Sequence, residues 1–212
     1  MKTLSKLFKR LAYVILTILG ILVLIYFGFS IKWMNNTSDI EALLGEVAPS
    51  LLIDGNSLRD LNKNGILDVY ENPNESIHDR VENLISQMTI EEKSGAMFIN
   101  MIGVNEDGSI MEHPNFSDPF SFLMGSSLEK LVIKKMNHFN IRASYDKDKM
   151  LSWYNAIQKV AERSRLGIPI TIASDPRHGV PETFGASIYT PYFSKWPSAL
   201  GMGATRDSLL VY

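Results

Sequence analysis

Residues 168–179 read Ile-Pro-Ile-Thr-Ile-Ala-Ser-Asp-Pro-Arg-His-Gly. The β-branched run predicts a buried strand over 168–174, and Pro176 ends it because proline has no N–H to donate and restricts the residue before it. A carboxylate (Asp175), a guanidinium (Arg177) and an imidazole (His178) are thereby delivered to one sheet edge. Asp175 and His178 are both metal-ligand types, and Asp175 with Arg177 equally suits a buried ion pair. Serine hydrolysis has no support, since no G-x-S-x-G elbow occurs. In α/β barrels the C-terminal strand edge is where binding and chemistry occur.

A second group lies at residues 60–71, Asp-Leu-Asn-Lys-Asn-Gly-Ile-Leu-Asp-Val-Tyr-Glu. Asp60, Asn62 and Asn64 take positions one, three and five of a twelve-residue loop, and Gly65 takes position six, where the turn needs φ > 0. The Ile66 carbonyl, Asp68 and Glu71 follow at seven, nine and twelve, which completes the EF-hand oxygen spacing. The expected ligand is Ca²⁺, held as a lone structural clip, because Pro73 interrupts any exiting helix. The alternative is a solvated polar turn. Among the other ionisable residues, His138 reads as packed or capping, His78 and His113 as solvent-facing, and Glu91 and Glu92 as a helix start.

The elements that position these groups follow from composition and pattern. The net charge of −2 gives no basic stripe for nucleic acid, and the absence of cysteine excludes disulfides, zinc–thiolate sites and thiol nucleophiles. Residues 11–31 form an uncharged apolar run of membrane-spanning length. Lys2, Lys6, Lys9 and Arg10 precede it and only Lys32 closely follows. The positive-inside rule puts the N-terminus in the cytoplasm and the main domain outside, periplasmic or extracellular. The run exceeds a signal-peptide core and lacks an A-x-A site, which favours an uncleaved signal-anchor over a cleaved signal.

Four regions result: a transmembrane helix at 11–31, a juxtamembrane spacer at 32–53, the calcium loop at 54–75, and an α/β domain at 76–212. Ser76 caps a helix whose apolar face is Ile77, Val81, Leu84, Ile85 and Met88. Thr89 with Glu92 forms a capping box. Residues 96–102 read as a first strand, 105–108 as a hairpin tip, 111–127 as a loop, 128–136 as a helix and 139–142 as extended. An amphipathic helix covers 148–165, with Leu151, Tyr154, Ile157, Val160 and Ala161 on one face, and Gly167 ends it. Residues 200–204 read as the next strand, and Thr205 and Asp207 as the start of a helix. Strands alternating with helices imply parallel pairing. The fold class is α/β, the first part of a (β/α)₈ TIM-type barrel. A full barrel needs about 250 residues, so residues 76–212 are expected to form only part of one.

Three segments carry a specific resemblance. Residues 80–93 (Arg-Val-Glu-Asn-Leu-Ile-Ser-Gln-Met-Thr-Ile-Glu-Glu-Lys), 167–179, and 193–207 (Phe-Ser-Lys-Trp-Pro-Ser-Ala-Leu-Gly-Met-Gly-Ala-Thr-Arg-Asp) resemble, in order, the N-terminal domain of glycoside hydrolase family 3. The 60–71 loop resembles a segment that precedes the barrel in some members. The resemblance implies retaining hydrolysis of terminal, non-reducing β-D-glycosyl residues, β-glucosidase and β-xylosidase being the commonest activities. It implies that Asp175 grips sugar hydroxyls of a β-linked oligosaccharide or glycoside, with Arg177 and His178 orienting it, and that catalysis needs no cofactor. Retention requires a carboxylate nucleophile and a carboxylic acid/base about 5–5.5 Å apart. In the family both lie further along than this sequence runs, so no catalytic residue is assigned and residues 1–212 alone are expected to be inactive. The alternative is a non-catalytic, membrane-anchored, calcium-stabilised module that binds sugar or a partner.

Overall fold

The structure is a computed structural model that describes residues 2–113, 121–173, 191–192 and 196–211. Its first element, α1 (Lys2–Glu41), contains the whole apolar run. No part of the most apolar window of this helix is buried against the protein. The helix does not stop at residue 31. It continues into the expected spacer, where Ile40 is 3% exposed and joins the hydrophobic core with Leu44 packed beside it. The chain is pinned just beyond: Gly45 N–H donates to the Arg163 carbonyl (3.0 Å) and Arg163 Nε donates to the Gly45 carbonyl (2.8 Å).

An antiparallel hairpin follows, β1 (Ser50–Ile53) with β2 (Asn56–Arg59). Its tip is Asp54-Gly55, both at positive φ, the pairing that a two-residue turn between twisted strands demands. Two short helices come next. In α2 (Ile77–Gln87) the Ser76 hydroxyl accepts the Asp79 N–H, and in α3 (Ile90–Ala96) Thr89 and Glu92 make the expected reciprocal capping box. The α2 face differs from expectation: no α2 residue is fully buried, and Ile77, Val81 and Ile85 are exposed. Among the described residues nothing covers that stripe.

Strands β3 (Ile99–Ile102), β4 (His138–Ile141) and β5 (Thr171–Ala173) form a parallel sheet in the order β3-β4-β5. The register sets Ile102 opposite Ile141 and Phe139 opposite Ile172. β3 starts later than expected because residue 96 still belongs to α3, and Met97 N–H closes that helix on the carbonyls of Ser94 and Gly95. Between β3 and β4 lie the expected turn at 105–108, closed by an antiparallel bridge of Val104 with Ile110, then α4 (Ser121–Met124) inside the expected loop and a π-helix, Glu129–Ile133, where a regular helix was expected. β4 leads through α5 (Lys147–Glu162), capped by Asp146, to β5.

Strand alternation gives the sheet two faces. Ile102, Phe139, Ile141 and Ile172 share one face, packed with Trp153 and Ile157 of α5 and with Leu128, Leu131 and Val132. This corrects the expected α5 face. Trp153, Ile157 and Ala161, spaced four apart, are buried, whereas Leu151 and Tyr154 lie outside that stripe and are exposed. A second correction concerns 200–204, which form helix α6 (Ala199–Ala204) and not a strand. Ser198 caps the Gly201 N–H, and Leu-Gly-Met-Gly offers no β-branched residue to favour extension. Helix α7 (Ser208–Val211) follows, and the Asp207 side chain accepts the Leu209 N–H.

Candidate functional site

The 60–71 loop is a knot of side chain to backbone hydrogen bonds. Asp60 is 1% exposed, and its carboxylate accepts the N–H groups of Asn64 (3.1 Å) and Gly65 (2.7 Å). Gly65 stands at φ 82°, as position six of the motif requires. Glu71, also buried, accepts from Leu61 (2.6 Å) and Asn62 (3.1 Å) through one oxygen and from Asp68 (3.0 Å) through the other. Asp68 in turn accepts from the side-chain amides of Asn62 and Asn64, both at 2.7 Å, and from Gln87 of α2 at 3.2 Å. The donor set is all oxygen and therefore of the right kind for a hard cation. Among the described residues, however, no three or more Asp, Glu, His or Cys side chains converge to hold a metal ion. The Asp60 and Glu71 carboxylates are turned onto backbone amides and that of Asp68 onto side-chain amides.

The loop is also bolted to the end of α5. Lys63 Nζ donates to the carbonyls of Glu162 (2.7 Å) and Ser164 (2.6 Å), and Tyr70 Oη donates to the Leu166 carbonyl (3.1 Å). Arg59 pairs with Glu162, and Arg165 pairs with Glu92 of the capping box. Partial burial lowers the Lys63 ammonium, with Asp60 and Glu71 opposing the shift, while burial followed by the Glu71 charge raises the Tyr70 phenol. Gly167, at φ 58°, lets the chain turn against Leu61, where a Cβ would meet Leu61 atoms at 2.9 and 3.0 Å.

The strand-edge group falls differently. β5 ends at Ala173, and Asp175, Arg177 and His178 lie outside the described residues. What is described is the sheet that leads to them. On the face away from α5, the register sets Met101 beside Asn140 and Asn140 beside Ala173, with His138 beside Thr171. The Asn140 Oδ1 and His138 Nδ1 atoms are buried and make no hydrogen bond, and neither does Ser144 Oγ just past the end of β4. Asn140 and Ser144 were not singled out from the sequence. The polar–apolar alternation His-Phe-Asn-Ile in β4 was the available signal for Asn140. His138 is half-buried on this face, while His78 and His113 are exposed as expected.

Two ionisable side chains near the sheet are withdrawn from solvent, Lys130 fully and Glu112 in part. Lys130, 2% exposed, donates through Nζ to the Met101 carbonyl at 2.8 Å. Arg142 N–H occupies the Ile102 carbonyl toward β4, so by alternation Met101 turns its carbonyl to the other edge, where Lys130 caps it. Burial lowers the Lys130 ammonium to about 8, with Lys134 adding to the shift. Glu112 accepts from Leu128 N–H (3.1 Å) and from Thr37 Oγ1 of α1 (3.3 Å), and burial pushes its carboxyl up to about 7 against these hydrogen bonds.

No protein-family model matches the chain. Individual proteins do. It is 36% identical over 157 residues, 72% of its length, to β-glucosidase C of Emericella nidulans. It is 33% identical over 165 residues, 77% of its length, to a periplasmic β-glucosidase/β-xylosidase of Dickeya chrysanthemi, and 31% identical over 150 residues, 70% of its length, to a probable β-glucosidase C of Aspergillus oryzae. The matched segments make up 23%, 24% and 22% of those relatives, so the chain spans less than a quarter of their length. Over some seven-tenths of its length the chain is therefore homologous to β-glucosidases and β-xylosidases, and the glycoside hydrolase family 3 resemblance of its motifs is borne out.

Proposed function

We propose that the chain is the membrane-anchored beginning of a β-glycosidase barrel, with Asp175 gripping hydroxyls of a terminal β-D-glucosyl or β-D-xylosyl residue. The observation that carries this reading is the homology to β-glucosidases and a β-glucosidase/β-xylosidase over some seven-tenths of the chain, taken with a parallel sheet whose last strand, β5, ends two residues before Asp175 in sequence. A carboxylate accepts two vicinal hydroxyls at once, and such charged hydrogen bonds are strong. Arg177 and His178 orient Asp175. No residue of the 212 is assigned as nucleophile or acid/base, and the chain alone turns over no glycoside. Saturation-transfer NMR of the full chain with methyl β-D-glucoside and methyl β-D-xyloside tests the binding role. Transfer that disappears in Asp175→Ala is expected; equal transfer to both proteins overturns it.

The anchor is supported by the uncovered apolar run of α1 and by its basic N-terminal flank; under the positive-inside rule that flank stays in the cytoplasm and the domain lies outside. Calcium belongs to the same proposal. Asp60, Asn62, Asn64, Asp68, Glu71 and the Ile66 carbonyl would hold it, and when bound it supplies a structural clip with a dissociation constant on the order of 10⁻⁴–10⁻³ M, typical of extracellular modules. A melting temperature that rises in millimolar Ca²⁺ for the native chain but not for Asp60→Ala is the expected result. A melt unchanged in both proteins rejects the calcium site.

A further inference from the structure

In many anchored proteins a flexible linker separates the membrane helix from the folded domain. Here α1 is one continuous helix from Lys2 to Glu41, and its last turns are part of the domain's core. Ile40 is buried, Thr37 donates to Glu112, and two hydrogen bonds between Gly45 and Arg163, one through the Arg163 carbonyl and one through its Nε, fix the chain just past the helix. The domain therefore cannot swing on a tether, and its height above the bilayer follows from helix geometry.

The apolar run of 21 residues rises about 31 Å at 1.5 Å per residue, the thickness of a bilayer's hydrocarbon core. Ile40 stands nine residues beyond its outer end, about 14 Å higher, and so clears a headgroup layer of about 5–8 Å by a short distance only. Phe29 lies two residues inside the end of the run, about 3 Å below the hydrocarbon boundary. The ring of Phe122, in α4, meets the Phe29 ring edge-on with centroids 6.5 Å apart. A residue of the globular domain is thus in contact with the membrane helix at the depth where the acyl chains begin. The sequence of α4 is Ser-Phe-Leu-Met, without a charge, and Phe122 and Met124 are half-buried.

We propose that α4 is a membrane-interface wedge: Phe122 and Met124 rest in the outer interfacial layer of the bilayer and, with the docked end of α1, hold the domain in one orientation on the membrane surface. The occupant of this face is lipid. The proposal rests on α1 being a membrane anchor. It is a surface role, separate from sugar binding.

The chain contains no cysteine, so single cysteines carry nitroxide labels cleanly. The full chain is reconstituted in phosphatidylcholine/phosphatidylglycerol nanodiscs with a label at Tyr26→Cys, Phe122→Cys or Leu52→Cys. Leu52 is an exposed residue of the hairpin that Arg59 ties to the far end of α5. Electron paramagnetic resonance power saturation then compares oxygen, which partitions into lipid, with a nickel chelate that stays in water. The expected result is a several-fold higher oxygen-to-nickel accessibility ratio at 26 and 122 than at 52. A label at 122 as water-accessible as that at 52, with 26 still shielded, overturns the wedge and leaves the anchor standing. A label at 26 open to nickel removes the anchor and the wedge with it. Met124→Cys is the second reporter if Phe122→Cys does not fold, and the same ratios decide it.

Discussion

The 60–71 loop and the second face of the parallel sheet are both polar, yet they treat their polar atoms in opposite ways. In the loop each oxygen of Asp60 and Glu71 has an N–H partner, and the Asn62 and Asn64 amides are bound to Asp68. On the sheet, Asn140 Oδ1 and His138 Nδ1 are buried without a partner. A buried polar atom left unpaired costs about 1–3 kcal/mol, so its retention asks for a reason beyond folding. The loop spends its polar groups on closing the chain. The sheet face keeps some in reserve, on the strands that lead toward the proposed sugar-holding edge.

The largest effect that sharpens this contrast comes from adjacent residues of one strand. Phe139, fully buried on the α5 side, should lose about 3–5 kcal/mol on truncation to alanine. Its neighbour Asn140, truncated in the same way, should lose nothing and regain up to about 1–3 kcal/mol, because the change removes a buried oxygen that has no partner. Urea unfolding of both variants in detergent micelles reads the difference, and similar losses would dissolve the distinction between the faces.

In the loop, Asp60→Ala strands two N–H groups and should cost about 2–4 kcal/mol in calcium-free buffer. A loss below about 0.5 kcal/mol in the same unfolding assay would mean the knot is not what closes the loop. Glu112 gives the next effect. Its carboxyl is raised from an ordinary 4.5 to about 7, so the native state holds a proton that the unfolded chain releases. Its contribution to stability is complete below the ordinary value and is lost as pH rises through about 7. Glu112→Gln should therefore melt higher than the native chain at pH 8, by an amount on the order of 2 kcal/mol, and differ little at pH 4.5. Parallel thermal melts at the two pH values check the sign. Smallest of all, Leu151→Ser on the exposed side of α5 should change stability by less than about 0.5 kcal/mol, as thermal melts would show, although hydrophobic periodicity alone gave that residue to the core.

How much was legible depended on whether the signal was local. Caps are local, and Ser76, Thr89–Glu92 and the Gly65 turn stand where their residue types place them. Parallel pairing was readable from the alternation of strands and helices, and α5 itself from its amphipathic pattern, although the helix expected over 148–165 spans Lys147–Glu162, capped by Asp146 and closed by Arg163 before Gly167 is reached. The buried stripe of α5 was half missed, because an amphipathic pattern containing Leu151, Tyr154 and Trp153 allows two neighbouring faces and only the sheet decides between them. The strand expected at 200–204 became α6 because a single capping serine outweighed a weak apolar run. The hairpin tip Asp54-Gly55 carried its own sequence signal and was not read as a turn. The docking of α1 through Ile40 was not legible at all, since nothing in residues 32–41 marks one isoleucine for a core more than sixty residues away. Of the candidate site, the loop residues are placed and the Asp175 group lies outside the described residues.

The most direct test of the account is the affinity of methyl β-D-glucoside for three versions of the 212-residue chain in nanodiscs, measured by isothermal titration at saturating Ca²⁺. The native chain and Asp60→Ala should bind with the same dissociation constant, whereas Asp175→Ala should lose about 1.5–3 kcal/mol, roughly tenfold to a hundredfold. Unchanged affinity in Asp175→Ala, or an equal loss in Asp60→Ala, would contradict it.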